Sequence, residues 1–450
     1  MPSEFGLPLA TFVVIASMVG TGILTTSGYT MASVESNQLM LGLWVVGGVI
    51  AVCGALTLAE LSSALPHTGG DYVYLHEAYG PLVAFLSGWV SFLIGFSGPA
   101  AAAGIGSAKY LLAPLGLEPN QAILAQRLLA TVSILAFAIN HVWGRTATTL
   151  VQSWITVVKL AFLVLFIAAG LWVGWPNTAN LMDAKPITPK LAQSMLSSLV
   201  FIYYAYTGWN GASYLAGEIQ EPQRILPRAI FLGTGLVTVL YLGMNLVYAL
   251  ALSSADIQAI VRDPNNPLGF DAVAPIAAIT AGRLFGSGWS NWMSVGFGLM
   301  LFSTLSVYLL IGPRVIYAMA RAGQFPAVAA RLTTRSATPI VATAMQVMVT
   351  LVFVWVGSLQ EIIGYASVGL SLFSLLSMSS IFILRIKRPD LPRPFRTPGY
   401  PVTPAIYLIL TGLLTWAAFM RQPVVSTYAL LSILLGIPIY YIWRRHPRPA

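Results

Sequence analysis

Three kinds of residue in this chain could do chemistry at the centre of a bilayer: one lysine, two clusters of glycine in apolar sequence, and a few hydroxyl and aromatic side chains between them. Lys159 interrupts the apolar run 150–172 (LVQSWITVVKLAFLVLFIAAGLW), which is long enough to cross a membrane as a helix. Nine residues into that run, at about 1.5 Å per residue, it lies ~14 Å deep. Its arm reaches only about 6 Å, too short to bring the amine to the headgroups. A charge at that depth costs on the order of 3 kcal/mol, so such residues face a polar cavity and work there. Two roles stand open for Lys159: a permanently charged anchor bonded to backbone carbonyls, or an amine that gives up and takes back a proton.

The glycines lie in ASMVGTGILTTSGYT (16–30), with Gly20, Gly22 and Gly28, and in FIYYAYTGWNGASYLAGE (201–218), with Gly208 and Gly211. A glycine inside a helix costs about 1 kcal/mol relative to alanine, so unwinding is cheap at both places. Gly-Thr-Gly recurs at 233–235, and Gly-x-Gly at 104–106 and 296–298, so a single copy is a weak signal. An unwound membrane helix bares main-chain groups that must meet a ligand or a neighbour. The amides of Thr21, Gly22 and Ile23, at the start of a half-helix after Gly20, form a seat for a carboxylate. The carbonyls of Met18 and of Tyr204, Ala205 and Thr207 form a seat for an ammonium. Side by side they describe a receptor for an α-amino acid.

The elements that must position these groups follow from composition. Of 450 residues, 57% are hydrophobic and 8% charged, against roughly 25% charged in soluble domains. The chain is therefore an all-α integral membrane protein. About twelve spans are predicted, near 6–29, 39–65, 82–108, 122–142, 149–173, 195–217, 228–252, 289–320, 339–357, 362–385, 404–420 and 426–443, with a short helix outside the membrane at 272–286. The first apolar stretch is too long for a signal-peptide core. The net charge of +9 is a topology signal and not a nucleic-acid footprint. With the N-terminus in the cytoplasm, fifteen of the twenty-three Lys and Arg residues fall inside: Arg145, Arg224, Arg228, Arg314, Arg321, Arg331, Arg335, Arg385, Lys387, Arg388, Arg393, Arg396, Arg444, Arg445 and Arg448. Both termini are thus expected in the cytosol of a multi-pass cell-membrane protein. No linker divides the chain, so 1–450 reads as one domain. Broken first and sixth spans at corresponding places are the mark of an inverted-repeat transporter: repeats at about 6–173 and 195–385, and accessory helices at about 404–443.

The stretches VGTGI (19–23), HTGGDYVY (67–74), VVKLAFL (157–163), YAYTGWN (204–210), GEIQEPQRILPRAI (217–230) and GPRVIYAMARAGQFP (312–326) resemble the amino acid–polyamine–organocation (APC) superfamily, and especially its L-type amino acid transporter branch. The resemblance implies the LeuT-type fold of five plus five spans with two extra, and alternating access to a substrate held between spans one and six. It places Gly20, Thr21 and Gly22 on the substrate carboxylate and makes Tyr204 an outer gate. Trp209 and Asn210 would line or support the side-chain pocket, and Lys159 would stand where sodium-coupled relatives hold a sodium ion. A span-eight hydroxyl, Ser303 or Thr304, would neighbour the lysine, and Tyr308 would face the substrate. Thr207 stands where L-type members usually have glycine, which points to smaller side chains.

The function expected is secondary active transport of neutral L-amino acids, by proton symport or by exchange. The alternative is a cationic amino acid or polyamine carrier of the same fold, against which it counts that no Asp or Glu is expected at mid-membrane to pair with a cationic side chain. Enzyme chemistry lacks its residues: there is no Gly-x-Ser-x-Gly, no His-Glu-x-x-His and one cysteine, Cys53. His67, His76, His141 and His446 make no metal spacing, so neither metal nor cofactor is expected. The expected partners are the substrate, lipid and protons, with no obligatory protein partner. Glu60 and Glu218 are expected to pair with Arg314 or Arg321 at an inner gate, and Asp71 and Tyr72 to orient the loop after Gly69-Gly70. Trp89, Trp143, Trp172, Trp175 and Trp443 are expected to be interfacial anchors.

Overall fold

The computed structural model describes residues 5–264, 269–334, 337–357, 359–421 and 423–444. Arg335, Arg445, Arg448 and His446 lie outside them. Seventeen α-helices follow one another: α1 (Leu7–Met18), α2 (Thr21–Val34), α3 (Asn37–Ala64), α4 (Asp71–Tyr79), α5 (Pro81–Val90), α6 (Ser97–Leu112), α7 (Pro119–Trp143), α8 (Arg145–Gly174), α9 (Pro189–Tyr206), α10 (Pro222–Ala251), α11 (Ser254–Val261), α12 (Ile276–Phe285), α13 (Ser287–Arg321), α14 (Ile340–Val356), α15 (Leu359–Lys387), α16 (Val402–Arg421) and α17 (Pro423–Arg444). Among the described residues there is no strand, only isolated bridges such as Phe5 to Ile219.

Among the described residues ten helical stretches, one of them Leu7–Val34 with its break, are long and apolar enough to cross a membrane; α14 is shorter, and α9 is cut off at Tyr206. The chain is a multi-pass membrane protein. Large apolar side chains stand outward on α7, α8, α10, α16 and α17, among them Val132, Leu165, Val239, Ile409 and Leu435. On a soluble surface such a belt is a liability, whereas against lipid it is the preferred solvent.

The first span breaks where its glycines allow. α1 stops at Met18, Val19 and Gly20 are extended, and α2 starts at Thr21. α9 stops at Tyr206; Thr207 is extended, Gly208 takes a left-handed φ of +104°, and a 3₁₀ segment runs over Gly211–Glu218. Only glycine serves at 208, because a Cβ there would lie 2.6 Å from the Ser17 carbonyl oxygen. α2 packs on α9, and α1 on α10 and the 3₁₀ segment, so the two breaks lie against each other. α3, α6, α8, α10 and α13 close around them. α5 and α6 are joined by a π-helical turn, Ser91–Phe96, which leaves Ser91, Gly95 and Phe96 facing a cavity.

Candidate substrate site

Unwinding bares the carbonyls of Ser17, Met18 and Val19, and each is met by a side chain from another helix. The Tyr308 hydroxyl of α13 donates to the Ser17 oxygen at 2.7 Å. The Tyr241 hydroxyl of α10 lies 2.6 Å from the Met18 oxygen and 3.0 Å from the Ala205 oxygen, so a single proton is shared between the two broken helices. The Val19 oxygen accepts from the Lys159 amine at 2.7 Å and from the Thr304 hydroxyl at 2.6 Å, and that hydroxyl accepts from the amine at 2.8 Å. Lys159 is fully buried, and no carboxylate pairs with it among the described residues. It is an amine bonded to main chain and hydroxyl, tying α8 and α13 to the first break.

The amide side is different. Gly20 is the N-cap of α2 and offers no capping side chain, so the first amides of that helix have no side-chain acceptor. Thr21 and Gly22 line a small cavity of about 10 Å³ together with Ser17, Met18, Gly20, Pro99, Tyr204, Ala205, Thr207, Thr304 and Tyr308. That is room for about one water, so an amino acid enters only when these walls part. At Gly22 α2 and α9 approach closely, since a Cβ on it would stand 2.6 Å from the Ala205 Cα.

Nine of the residues singled out in the sequence meet at this cavity: Met18, Gly20, Thr21, Gly22, Tyr204, Ala205, Thr207, Tyr308 and Thr304, the last as the hydroxyl beside the lysine. Ile23 is fully buried and does not line it. Ser303 faces away, its hydroxyl 3.0 Å from that of Thr156 on α8. Trp209 and Asn210 line a second cavity of about 40 Å³ instead, which shares Thr207 and Tyr308 with the first.

Two groups at the site, Tyr241 on the bared carbonyls and Asp71 at the wall of the second cavity, lie outside the sequence expectation. Tyr241 had a signal, as a hydroxyl one turn before Asn245 in apolar sequence. Asp71 did not, since it is expected in a loop, yet it is buried at the wall of the second cavity. Its carboxylate accepts from the Asn210 amide at 2.9 Å and from the Tyr214 hydroxyl at 2.9 Å.

The ion pairs divide the expectation at the inner ends of the spans. Glu218 does pair with Arg314, at 3.1 Å and fully buried. Glu60 pairs with neither Arg314 nor Arg321; it binds Arg385 at 2.7 Å, Arg393 at 3.5 Å and the Thr397 amide at 2.7 Å. The reason is position: α15 runs past the end of α3 and brings its C-terminal arginine there. The backbone of Phe5 bonds Glu218 and Gln220, holding the N-terminus against the second broken span. Of the tryptophans, Trp143, Trp172 and Trp175 are exposed, but Trp89 and Trp443 pack edge to face with each other, Trp443 meets Phe85 edge to face and Trp89 stacks on it. Among the described residues no group of His, Cys, Asp and Glu could hold a metal.

A family model described as amino acid permease matches residues 5–442. The chain belongs to the amino acid permease family. Over its whole length it is 29% identical to the large neutral amino acids transporter small subunit 2 of Mus musculus, covering 83% of that protein, which by its name is one subunit of an assembly. It is 30% identical to the Asc-type amino acid transporter 1 of Mus musculus, covering 83% of it. It is 27% identical over 98% of its length to the serine/threonine exchanger SteT of Bacillus subtilis (strain 168), covering 97% of it. The permease family and these relatives are transporters and not enzymes.

Proposed function

We propose that this permease carries neutral L-amino acids across the cell membrane by alternating access, as an exchanger, with both termini in the cytosol. The observation that carries the reading is the uncapped N-terminus of α2 opening on the cavity between two broken helices. The substrate carboxylate takes the amides of Thr21 and Gly22, which line the cavity as Ile23 does not, with Gly20 allowing close approach. The ammonium takes the second lone pairs of the Met18 and Ala205 carbonyls, which share the Tyr241 hydroxyl as donor, together with the Thr207 carbonyl, whereas the Tyr204 carbonyl is already met by the Thr207 amide and hydroxyl. Tyr204 closes the outer side, and Trp209 supports the second broken segment.

The fold supporting this is the LeuT type: about twelve spans in two inverted repeats at about 6–173 and 195–385, with accessory helices at about 404–443. Exchange is favoured over proton symport because Lys159 lines neither cavity and makes its bonds as a donor. A proton carrier has to meet water during the cycle, and an anchor does not.

The test is counterflow. Purified protein in liposomes loaded with serine takes up labelled neutral amino acids at equal rates at pH 6 and pH 8, and takes up none from empty liposomes. Uptake into empty liposomes driven by an inward proton gradient overturns exchange. Uptake confined to arginine, lysine or diamines overturns the neutral reading.

A further inference from the structure

α13 runs past the central cavity, where Tyr308 lines it, and a little further on carries Pro313 inside the helix. Proline has no N–H, so the Leu309 carbonyl lacks its helical donor. The carbonyls on either side of it, of Tyr308 and Leu310, each receive an extra donor from a side chain. Gln346 of α14 donates from its Nε2 to the Tyr308 oxygen at 3.0 Å, and the Arg314 guanidinium donates to the Leu310 oxygen. Side chains that enter the backbone ladder beside a proline stand where helices bend.

The other end of the Gln346 amide shows which bond is involved. Its Oε1 is buried and has no partner. A bare buried carbonyl is costly, and in a native protein it calls for an explanation. The amide lies flat on Gly312, where a Cβ would collide with Oε1, Nε2 and Cδ together, so only glycine leaves room for it. In a regular helix the Gly312 N–H is the donor to the Tyr308 carbonyl. Gln346 therefore sits on both members of one backbone hydrogen bond, its N–H on the acceptor and its oxygen against the donor residue. When that bond opens, Gly312 can donate to Oε1 while Nε2 keeps the Tyr308 oxygen. No polar group is bared and the orphaned oxygen gains a partner, which is what bending a helix inside a membrane requires. The two sides of the bend hold different parts of the site. Before it, the Tyr308 hydroxyl donates to the Ser17 carbonyl of the first break at 2.7 Å; after it, Arg314 pairs with Glu218 at the end of the second broken segment at 3.1 Å.

We propose that Gln346 is a positioning residue that acts through Tyr308. Its amide inserts into the backbone bond between Gly312 and Tyr308, α13 bends at Gly312–Pro313, and the Tyr308 hydroxyl leaves and regains the Ser17 carbonyl as the central cavity opens and closes. The inference rests on the exchange reading and adds the residue that sets the rate of its conformational step.

Gln346→Met tests it, filling the same space without either end of the amide and leaving the Tyr308 carbonyl its helical donor. In serine-loaded liposomes the counterflow kcat of the variant falls about tenfold, the worth of one net hydrogen bond, while KM stays within about twofold of native. Its melting temperature in detergent holds or rises, because an unpaired buried oxygen has gone. Pro313→Ala returns a donor to the Leu309 carbonyl, stiffens α13 and lowers kcat in the same way, which keeps the test available should Gln346→Met not fold. Both substitutions remove one bend, so the double variant loses no more than the worse single one, whereas separate structural roles multiply the losses. A kcat within about twofold of native in both single variants overturns the inference, as does a multiplied loss or a rise in KM with kcat unchanged. Failure of the native protein to exchange neutral amino acids overturns the reading beneath it, and is told apart because it is seen without any variant.

Discussion

Replacing Lys159 by methionine separates holding a break together from holding the protein together. The amine donates to the Val19 oxygen at 2.7 Å and to the Thr304 hydroxyl at 2.8 Å, and the methionine stem fills the same apolar path. Hydrogen bonds made by a charged group are worth about 1.5–3 kcal/mol each, so two of them bias the break by about 3–6 kcal/mol. If transport requires this arrangement at one stage of the cycle, exchange falls by about 10²–10⁴-fold. Stability moves the other way. The variant loses the desolvation cost of a buried amine that no carboxylate neutralises, and such replacements by apolar groups are often neutral or stabilising. The Val19 oxygen also keeps a donor, because Thr304 bonds it at 2.6 Å. Lys159→Met should therefore melt at or above the native temperature in detergent while counterflow in liposomes is nearly abolished. Exchange within threefold of native, or a melting temperature several degrees lower, refutes the reasoning. The first result says that the anchor is dispensable; the second says that the amine is structural.

Three further outcomes follow from the geometry. Gly22→Ala places a methyl 2.6 Å from the Ala205 Cα, and backbone cannot yield as a side chain can, so about 1–3 kcal/mol of strain lowers the melting temperature of the substrate-free protein. Gly20→Ala meets the Thr304 methyl at 3.1 Å as its nearest atom, a side chain that can yield, and melts close to native; the reverse order disproves the packing of α2 on α9. Glu218→Gln leaves buried Arg314 without its counter-ion and costs about 3–5 kcal/mol, while the Glu218→Gln/Arg314→Met double variant recovers part of that loss in a thermal melt. Burial pushes the Asp183 carboxyl up, but hydrogen bonds from Ser254, the Asn37 and Gln38 amides and Ser36 outweigh it and hold the group below the usual carboxylate range. Its stabilisation is thus complete above the ordinary value of about pH 4 and is lost as pH falls through the lowered one. The melting temperature should drop below pH 4 in the native protein and less steeply in Asp183→Asn; parallel profiles refute the assignment.

The breaks were legible because glycine acts locally. Unwinding at Gly20 and at Thr207-Gly208 needs only residues that lose little by leaving the helix, and both interruptions fall there. The lysine was legible because a charge within apolar sequence has few places to go. Which hydroxyl faces it was not: Ser303 and Thr304 are neighbours on one helix, about 100° apart, and only the rotation of α13 sends one to the amine and the other to Thr156. Glu60 shows the same limit, since Arg385 lies more than three hundred positions further along the chain.

The amino-acid sequence by itself determined the solvent, the apolar helices and the two weak points in them, because hydropathy and backbone preference belong to short stretches of chain. The tertiary structure decided who answers for the bared polar groups: Tyr241 between Met18 and Ala205, Tyr308 on Ser17, Asp71 on Asn210. Those partners depend on the rotation and depth of whole helices against one another. In a membrane, where water cannot stand in for a missing donor, that packing settles which chemistry the unwound segments are free to perform.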